Sequence, residues 1–210
     1  MIKGLMQDGK SHNILFPEEK ERMKALLEQD FTNMLNHMRL NISHPHLADT
    51  PARMARMFVD EVFYGLYSDP PKLTVFPNTK GEDASMVFLG NIDIFSCCSH
   101  HLKDFVGKAH IAYIPGDYIV GISKLARIAD WFARRPQVQE ELTDSIADYI
   151  MEQLKPQGVG VCIRAVHNCI RVRGAKQSES EMLTTSLRGT MLTNKTQADE
   201  FYRNMERAER

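Results

Sequence analysis

The chain has 210 residues, of which 43% are apolar and 25% charged, and its 26 basic and 27 acidic side chains give a formal charge of −1. A chain of this length and composition buries a core without staples, which excludes disorder as the dominant state. The balanced charge excludes a nucleic-acid binder held by bulk electrostatics and leaves open a local Arg/Lys cluster that holds a small polyanion. No apolar run approaches the roughly 20 residues of a membrane span. The first 16 residues, MIKGLMQDGKSHNILF, lack an apolar stretch followed by a small-residue cleavage site. The expectation is therefore a cytoplasmic protein in a reducing compartment, with no nucleic-acid and no membrane partner.

There is no internal repeat. Residues 1–16 read as a loosely held, flexible N-terminus. A helix is predicted from Pro17 to about Leu40: Pro17 suits the first helical position, and Glu18 and Glu19 suit the positive end of the dipole. Met23, Leu26, Leu27, Phe31, Met34, Leu35 and Met38 recur at spacings of three and four and form one packing stripe. Asp49-Thr50-Pro51 starts a second helix that runs to about Leu66. Residues 17–70 thus form an N-terminal helical segment and 71–210 a separate domain.

From residue 86 the period changes. Met86–Phe95 and Val106–Ile114 read as strands, Ser123–Arg134 and Val138–Leu154 as helices, and Gly158–Val166 and Cys169–Arg173 as strands. The order is ββααββ, an α+β arrangement of antiparallel strands with two helices on one face. A last helix spans about Gln197–Ala208. A four-stranded open sheet has edges that must be covered, and pairing between subunits into a ring-like homo-oligomer would cover them.

Four cysteines stand out in a reducing compartment: Cys97, Cys98, Cys162 and Cys169. Buried free thiols are the commonest fate of cysteine. Against that, Cys98 lies in Cys97-Cys98-Ser99-His100-His101 and Cys169 in His167-Asn168-Cys169. A strand end and turn would place Cys98 and His101 on one metal, with His100 pointing elsewhere. Adding Cys169 gives the three-ligand set of catalytic zinc, and recruiting Cys97 would give a closed structural site instead. On a strand, His167, Cys169, Arg171 and Arg173 would share a face.

Ser123 reads as an N-cap, with Lys124 and Arg127 on the first helical turn, where free N–H groups favour phosphate. A solvated helix start is the alternative. Glu140 offers a carboxylate able to take two hydrogen bonds from a guanine edge. It is otherwise one more exposed helical acid.

Taken together, these segments resemble GTP cyclohydrolase I. The resemblance rests on Asp49–Arg53 (DTPAR), Cys98–His101 (CSHH), Gly107–Pro115 (GKAHIAYIP), Gly121–Arg127 (GISKLAR), Arg134–Glu140 (RRPQVQE), His167–Gly174 (HNCIRVRG) and Thr184–Gly189 (TTSLRG). They are collinear over about residues 17–206. The resemblance implies a tunnelling fold, in which ββααββ subunits join their sheets into a barrel and two pentamers stack into a homodecamer. It implies conversion of GTP and water to 7,8-dihydroneopterin triphosphate and formate. That step opens folate, biopterin and 7-deazaguanine routes.

It also implies the roles of particular residues. Cys98, His101 and Cys169 match zinc ligands whose bound water attacks guanine C8. His167 matches a proton donor near N7, His100 a further proton-transfer histidine, and Ser123 a residue serving the sugar rearrangement. Glu140 and Gln139 match guanine-side contacts, and Lys124, Arg127 and Arg173 triphosphate contacts. Arg53 matches a contact from a neighbouring subunit, so active sites lie at subunit interfaces. Ser99 stands where the family usually has Glu, and Glu141 where it usually has Arg. Two alternatives remain: a tunnelling-fold nitrile reductase of 7-deazaguanine metabolism, and a purine-nucleotide-binding paralogue with reduced or altered activity.

Overall fold

A computed structural model describes residues 14–81 and 85–210. The expected loose segment at 1–16 falls mostly outside them. The chain divides into two compact units, Met1–Asp69 and Pro70–Arg210.

In the first unit, helix α1 spans Pro17–His37 and ends three residues before the expected Leu40. Its first turn is closed by the Glu19 carboxylate, which accepts from the Phe16 N–H at 2.8 Å. The predicted second helix is broken into three pieces. Helix α2 covers Thr50–Arg56, a π-helical turn covers Met57–Val62, and helix α3 covers Tyr64–Tyr67. Phe31 of α1 stacks on Phe58 of the π-turn at 5.7 Å, and Lys24 reaches Asp60 at 3.0 Å.

In the second unit, short strands β1 (Val75–Pro77) and β4 (Tyr118–Val120) pair antiparallel. The main sheet holds β2 (Val87–Cys98), β3 (Lys103–Ile114), the two-residue β5 (Pro136–Gln137), β6 (Gly158–His167) and β7 (Met182–Gly189), in the order β5-β2-β3-β6-β7. All neighbours are antiparallel except β5 and β2, which run parallel. Helices α4 (Ile122–Ala133) and α5 (Gln139–Leu154) follow β4 and β5 in turn. The ββααββ order is thus present. Its fourth strand, however, is Met182–Gly189, and the expected strand at Cys169–Arg173 begins as a four-residue helix, α6 (Asn168–Arg171). Cys169-Ile170-Arg171-Val172 alternates like a strand, but β7 holds the place beside β6.

Two apolar layers fix the sheet. Leu125, Ile128 and Ala129 of α4 and Leu142, Ile146 and Ile150 of α5 are buried; each large one stabilises by roughly 1.5–3 kcal/mol. A short helix α7 (Thr190–Thr193) and the C-terminal helix α8 (Lys195–Ala208) supply the second layer. Phe201 and Met205 of α8 pack with Met191 against Ala112, Ile114 and Cys162. By strand alternation those β3 positions face away from Ala109, Ile111 and Tyr113, so α8 covers the opposite face from α4 and α5. A bulge at Gly90–Asn91 of β2 holds the end of α8. Asn91 sits at φ +56°, and its side-chain amide donates to the Ala208 carbonyl at 2.6 Å.

β3 and β6 approach closely at Gly107 of β3. A Cβ there would lie 1.9 Å from the Arg164 carbonyl oxygen and 2.6 Å from the Ala165 Cα. Only glycine lets β3 and β6 lie this near each other. Among the described residues the outer edge of β7 is unpaired, and β5 covers only Cys97–Cys98 of β2.

Candidate active site

β2 and β3 meet in a tight turn. The Leu102 N–H donates to the Cys98 carbonyl at 2.9 Å, with Leu102 itself at φ +48°. The Ser99 N–H donates to the Gln137 carbonyl at 3.2 Å, which ties the turn to β5. Cys98, at the strand's last residue, is 4% exposed. On the next antiparallel pair, β6 ends at His167, opposite Phe105 of β3. The chain then turns into α6, and the turn is pinned where the Asn168 side-chain amide donates to Asp104 at 2.8 Å. That helical turn buries Cys169 to 8% exposure and leaves Arg171 and Arg173 exposed. The shared strand face expected for His167, Cys169, Arg171 and Arg173 is therefore absent, because only His167 is on a strand.

What the turn achieves is convergence. The Cys98 and Cys169 sulfurs and a ring nitrogen of His167 all lie within 4.8 Å of one another. Two thiols and one imidazole, nearly closed to water, match the borderline-soft donor set that zinc prefers. Burial and the adjoining Cys98 thiol push the Cys169 pKa up. A cation held by Cys98 and Cys169 would reverse that preference by favouring the thiolates. Cys97 is a different case. Burial and the neighbouring Cys98 and Asp104 push its thiol up to about 11, and it is not part of the group.

His101 is also outside the group. It lies exposed on the turn, its ring 6.5 Å from that of His100. It is His100 whose Nδ1 comes 3.6 Å from the Cys98 sulfur, where the sequence suggested it would point elsewhere. His167 is held on two sides. Its ring stacks on the buried Phe105 at 4.5 Å and 10°, and its Nε2 lies 2.8 Å from Gln139 Oε1. Burial lowers its pKa, and the nearby Glu140 carboxylate opposes that shift. Glu140 is exposed at the start of α5. Arg173 acts on the same cluster by favouring the Cys169 thiolate.

The remaining expected residues lie elsewhere. Helix α4 starts with Gly121 at its N-cap, so Ser123 is inside the first turn and caps nothing. The Val120 N–H donates to the Tyr113 hydroxyl at 3.1 Å, which fixes the start of α4 near the Ile114 end of β3. The end of α4 leads into β5 beside Cys97 and Cys98. Twelve helical residues span roughly 18 Å. Ser123 and Lys124 are thus at the opposite end of α4 from the thiols, and Arg127 is at its middle. Arg53 belongs to the first unit, where it pairs with Asp49 at 3.1 Å.

The family model described as GTP cyclohydrolase I matches residues 27–206. This chain belongs to the GTP cyclohydrolase I family. It is 40% identical over 188 residues to GTP cyclohydrolase 1 of Edwardsiella ictaluri, covering 89% of this chain and 85% of that protein. It is also 40% identical over 186 residues to GTP cyclohydrolase 1 of Salmonella gallinarum, covering 88% and 83%. Among solved structures, the archaeosine synthase QueF-Like in the apo form aligns with 51% of this chain and 96% of its own, at 18% identity and a TM-score of 0.43.

Within this member of the family, sequence reasoning missed Phe105, which fixes the ring plane of His167. It also missed Thr143 and Thr184, which orient Gln139. A polar Gln in the first turn of a helix, where an apolar residue would bury equally well, was the available signal. No described helix is long and apolar enough to cross a membrane.

Proposed function

We propose that the chain converts GTP and water to 7,8-dihydroneopterin triphosphate and formate, a reaction that opens folate, biopterin or 7-deazaguanine routes. The observation that carries this reading is the convergence of Cys98, Cys169 and His167 in a chain of this family. Cys98, His101 and Cys169 would hold zinc. Once bound, zinc supplies Lewis acidity and lowers the pKa of a water ligand towards neutrality. The grouping of His167 with the two thiols also favours a second assignment, in which His167 is the nitrogen ligand.

The other steps belong to the chain's own side chains. His167, locked against Phe105 and Gln139, delivers a proton beside guanine N7. His100, near the Cys98 sulfur, moves protons during ring opening. Glu140 accepts from the guanine edge at the rim of the same cluster. Arg173 meets the phosphates from the cluster side.

Ser123, Lys124, Arg127 and Arg53 would reach the substrate from other copies. The position of Lys124 supports this, since about 14 Å of α4 lies between it and the helix end that leads to the thiols. The open edges of β2 and β7 support pairing between copies. The assembly is then a homo-oligomer, a decamer of two stacked pentamers, with shared active sites.

Incubating the purified protein with GTP and zinc tests the reaction. Formate release with the growth of neopterin fluorescence is expected. GTP bound without product would identify a binding paralogue, and NADPH oxidation on a nitrile substrate a reductase. Zinc content in His101→Ala and His167→Ala separates the two ligand assignments, because only the true ligand's loss empties the site.

A further inference from the structure

We propose that Gln139 is a positioning residue: its buried carboxamide, oriented by Ile163, Met182 and Thr184, accepts the Nε2 proton of His167 and holds that imidazole as the Nε2–H tautomer, with Nδ1 left to do the chemistry. The proposal rests on the reading of His167 as part of the active site.

The hydrogen bonds leave one consistent assignment. Gln139 is 0% exposed. Its side-chain nitrogen lies 2.9 Å from the Ile163 carbonyl oxygen, 3.1 Å from the Met182 carbonyl oxygen and 3.0 Å from Thr184 Oγ1. Main-chain carbonyls only accept, so the NH₂ end must face them. Turning the amide over would set oxygen against two oxygens. The Oε1 end therefore faces His167 at 2.8 Å, and because it only accepts, His167 Nε2 must carry the hydrogen.

The threonines close the circuit. The Thr143 hydroxyl spends its single proton on the Gln139 main-chain carbonyl at 2.8 Å. The 2.6 Å contact between Thr143 and Thr184 must then be donated by Thr184. That leaves the Thr184 oxygen to accept from Gln139, whose two amide protons are shared among three acceptors, and no acceptor faces another acceptor. The parts come from α5, β6 and β7, and Phe105 blocks the ring from tilting out of the Gln139 bond.

The resemblance gives Gln139 a role in substrate contact. In this structure both of its N–H protons are committed inside the protein, so its influence on the reaction runs through His167. With Nε2–H engaged, Nδ1 is the one ring nitrogen free to take a proton or a metal.

The test uses the zinc-loaded full-length protein labelled with ¹⁵N-histidine, with His167→Asn to assign the ring signals. The wild-type ring should show a protonated Nε2 and an unprotonated or metal-bound Nδ1. Gln139→Leu should shift the ring towards a mixture of tautomers. It should lower kcat by about 10- to 100-fold, the usual cost of losing a partner that orients an active-site histidine, with KM for GTP within about threefold. Thr184→Val should move both readouts the same way by less, and Thr184→Ser, which keeps the hydroxyl, should restore them.

A wild-type ring protonated on Nδ1 overturns the proposal. So does a Gln139→Leu enzyme with raised KM and unchanged kcat, which would return Gln139 to substrate binding. Thr184→Val indistinguishable from Thr184→Ser overturns it as well. Should Gln139→Leu fail to fold, the wild-type ring and the Thr184 pair still decide. If the wild type releases no formate, the proposed reaction fails, while the ring-nitrogen readout still judges Gln139.

Discussion

The two ends of α4 differ in kind. Beside its C-terminal end, Cys98, Cys169 and His167 converge from β2, α6 and β6 into a nearly closed cluster. In its first turn stand Ser123 and Lys124, with Arg127 at the middle of the helix. No carboxylate lies within ion-pair reach of these two cations among the described residues, in contrast to Arg53, which Asp49 neutralises. One end gathers thiols and an imidazole that could hold a metal, and the other gathers positive charge without a carboxylate partner. Nine helical residues, roughly 14 Å, lie between Lys124 and the Ala133 end of α4. Under the proposed function the two ends serve one site, and a second copy of the chain supplies one of them.

The largest effects should come from disabling either end and then combining the cripples. Cys169→Ser should lose zinc and lower turnover by more than about 100-fold, the upper end of what partners outside the ligand set cost. Lys124→Ala with Arg127→Ala should abolish turnover at ordinary GTP concentrations while zinc content stays whole. Mixed before assembly, the two inactive proteins should recover about a quarter of wild-type activity, since each site needs one good end from each of two copies. No recovery would mean that both ends serve the same chain. Taken alone, Lys124→Ala should raise KM for GTP about tenfold or more, because a hydrogen bond to a charged group contributes about 1.5–3 kcal/mol.

Smaller effects should follow away from both ends. Buried His110 faces Glu209 at 3.5 Å, with Arg164 held on the same carboxylate at 3.0 Å. Burial lowers the His110 pKa below its ordinary 6.5. The stability it contributes is whole above that value and is lost as pH falls through the lowered one. Denaturation midpoints should therefore drop on acidification below about 6.5, and His110→Gln should flatten that slope. The mildest change is Cys162→Ala, which should cost about 1–2 kcal/mol of stability from the α8 core and leave zinc and turnover untouched. This cysteine lies in the middle of β6 and is not part of the Cys98–His167–Cys169 group.

The sequence made the long elements legible because their periods are clean. Strands β2, β3 and β6 and helices α4, α5 and α8 fall within a few residues of the hydrophobic pattern. It misled at α6, where Ile170 and Val172 imitate a strand although only three-dimensional pairing with β7 decides which segment completes the sheet. It misled again at Ser123, a good cap residue placed two residues too late, since Gly121 ends the loop. Cys98 and Cys169 were readable as a pair from their neighbours. The direction of His100 and the restraint on His167 were not, because they depend on a positive-φ turn and on contacts 24 to 45 residues away from Gln139.

Gly107 has a consequence for any survey of tolerated substitutions. It touches no proposed substrate and carries no side chain, yet even alanine there would force β3 and β6 apart. Two residues along the same strand, Phe105 would slide off the imidazole it supports. In a library of variants selected for growth, position 107 would be as intolerant as a metal ligand. An observer working from that pattern alone would count it among the chemical groups of the enzyme. What selection would be guarding there is a spacing between two strands, which no single side chain carries.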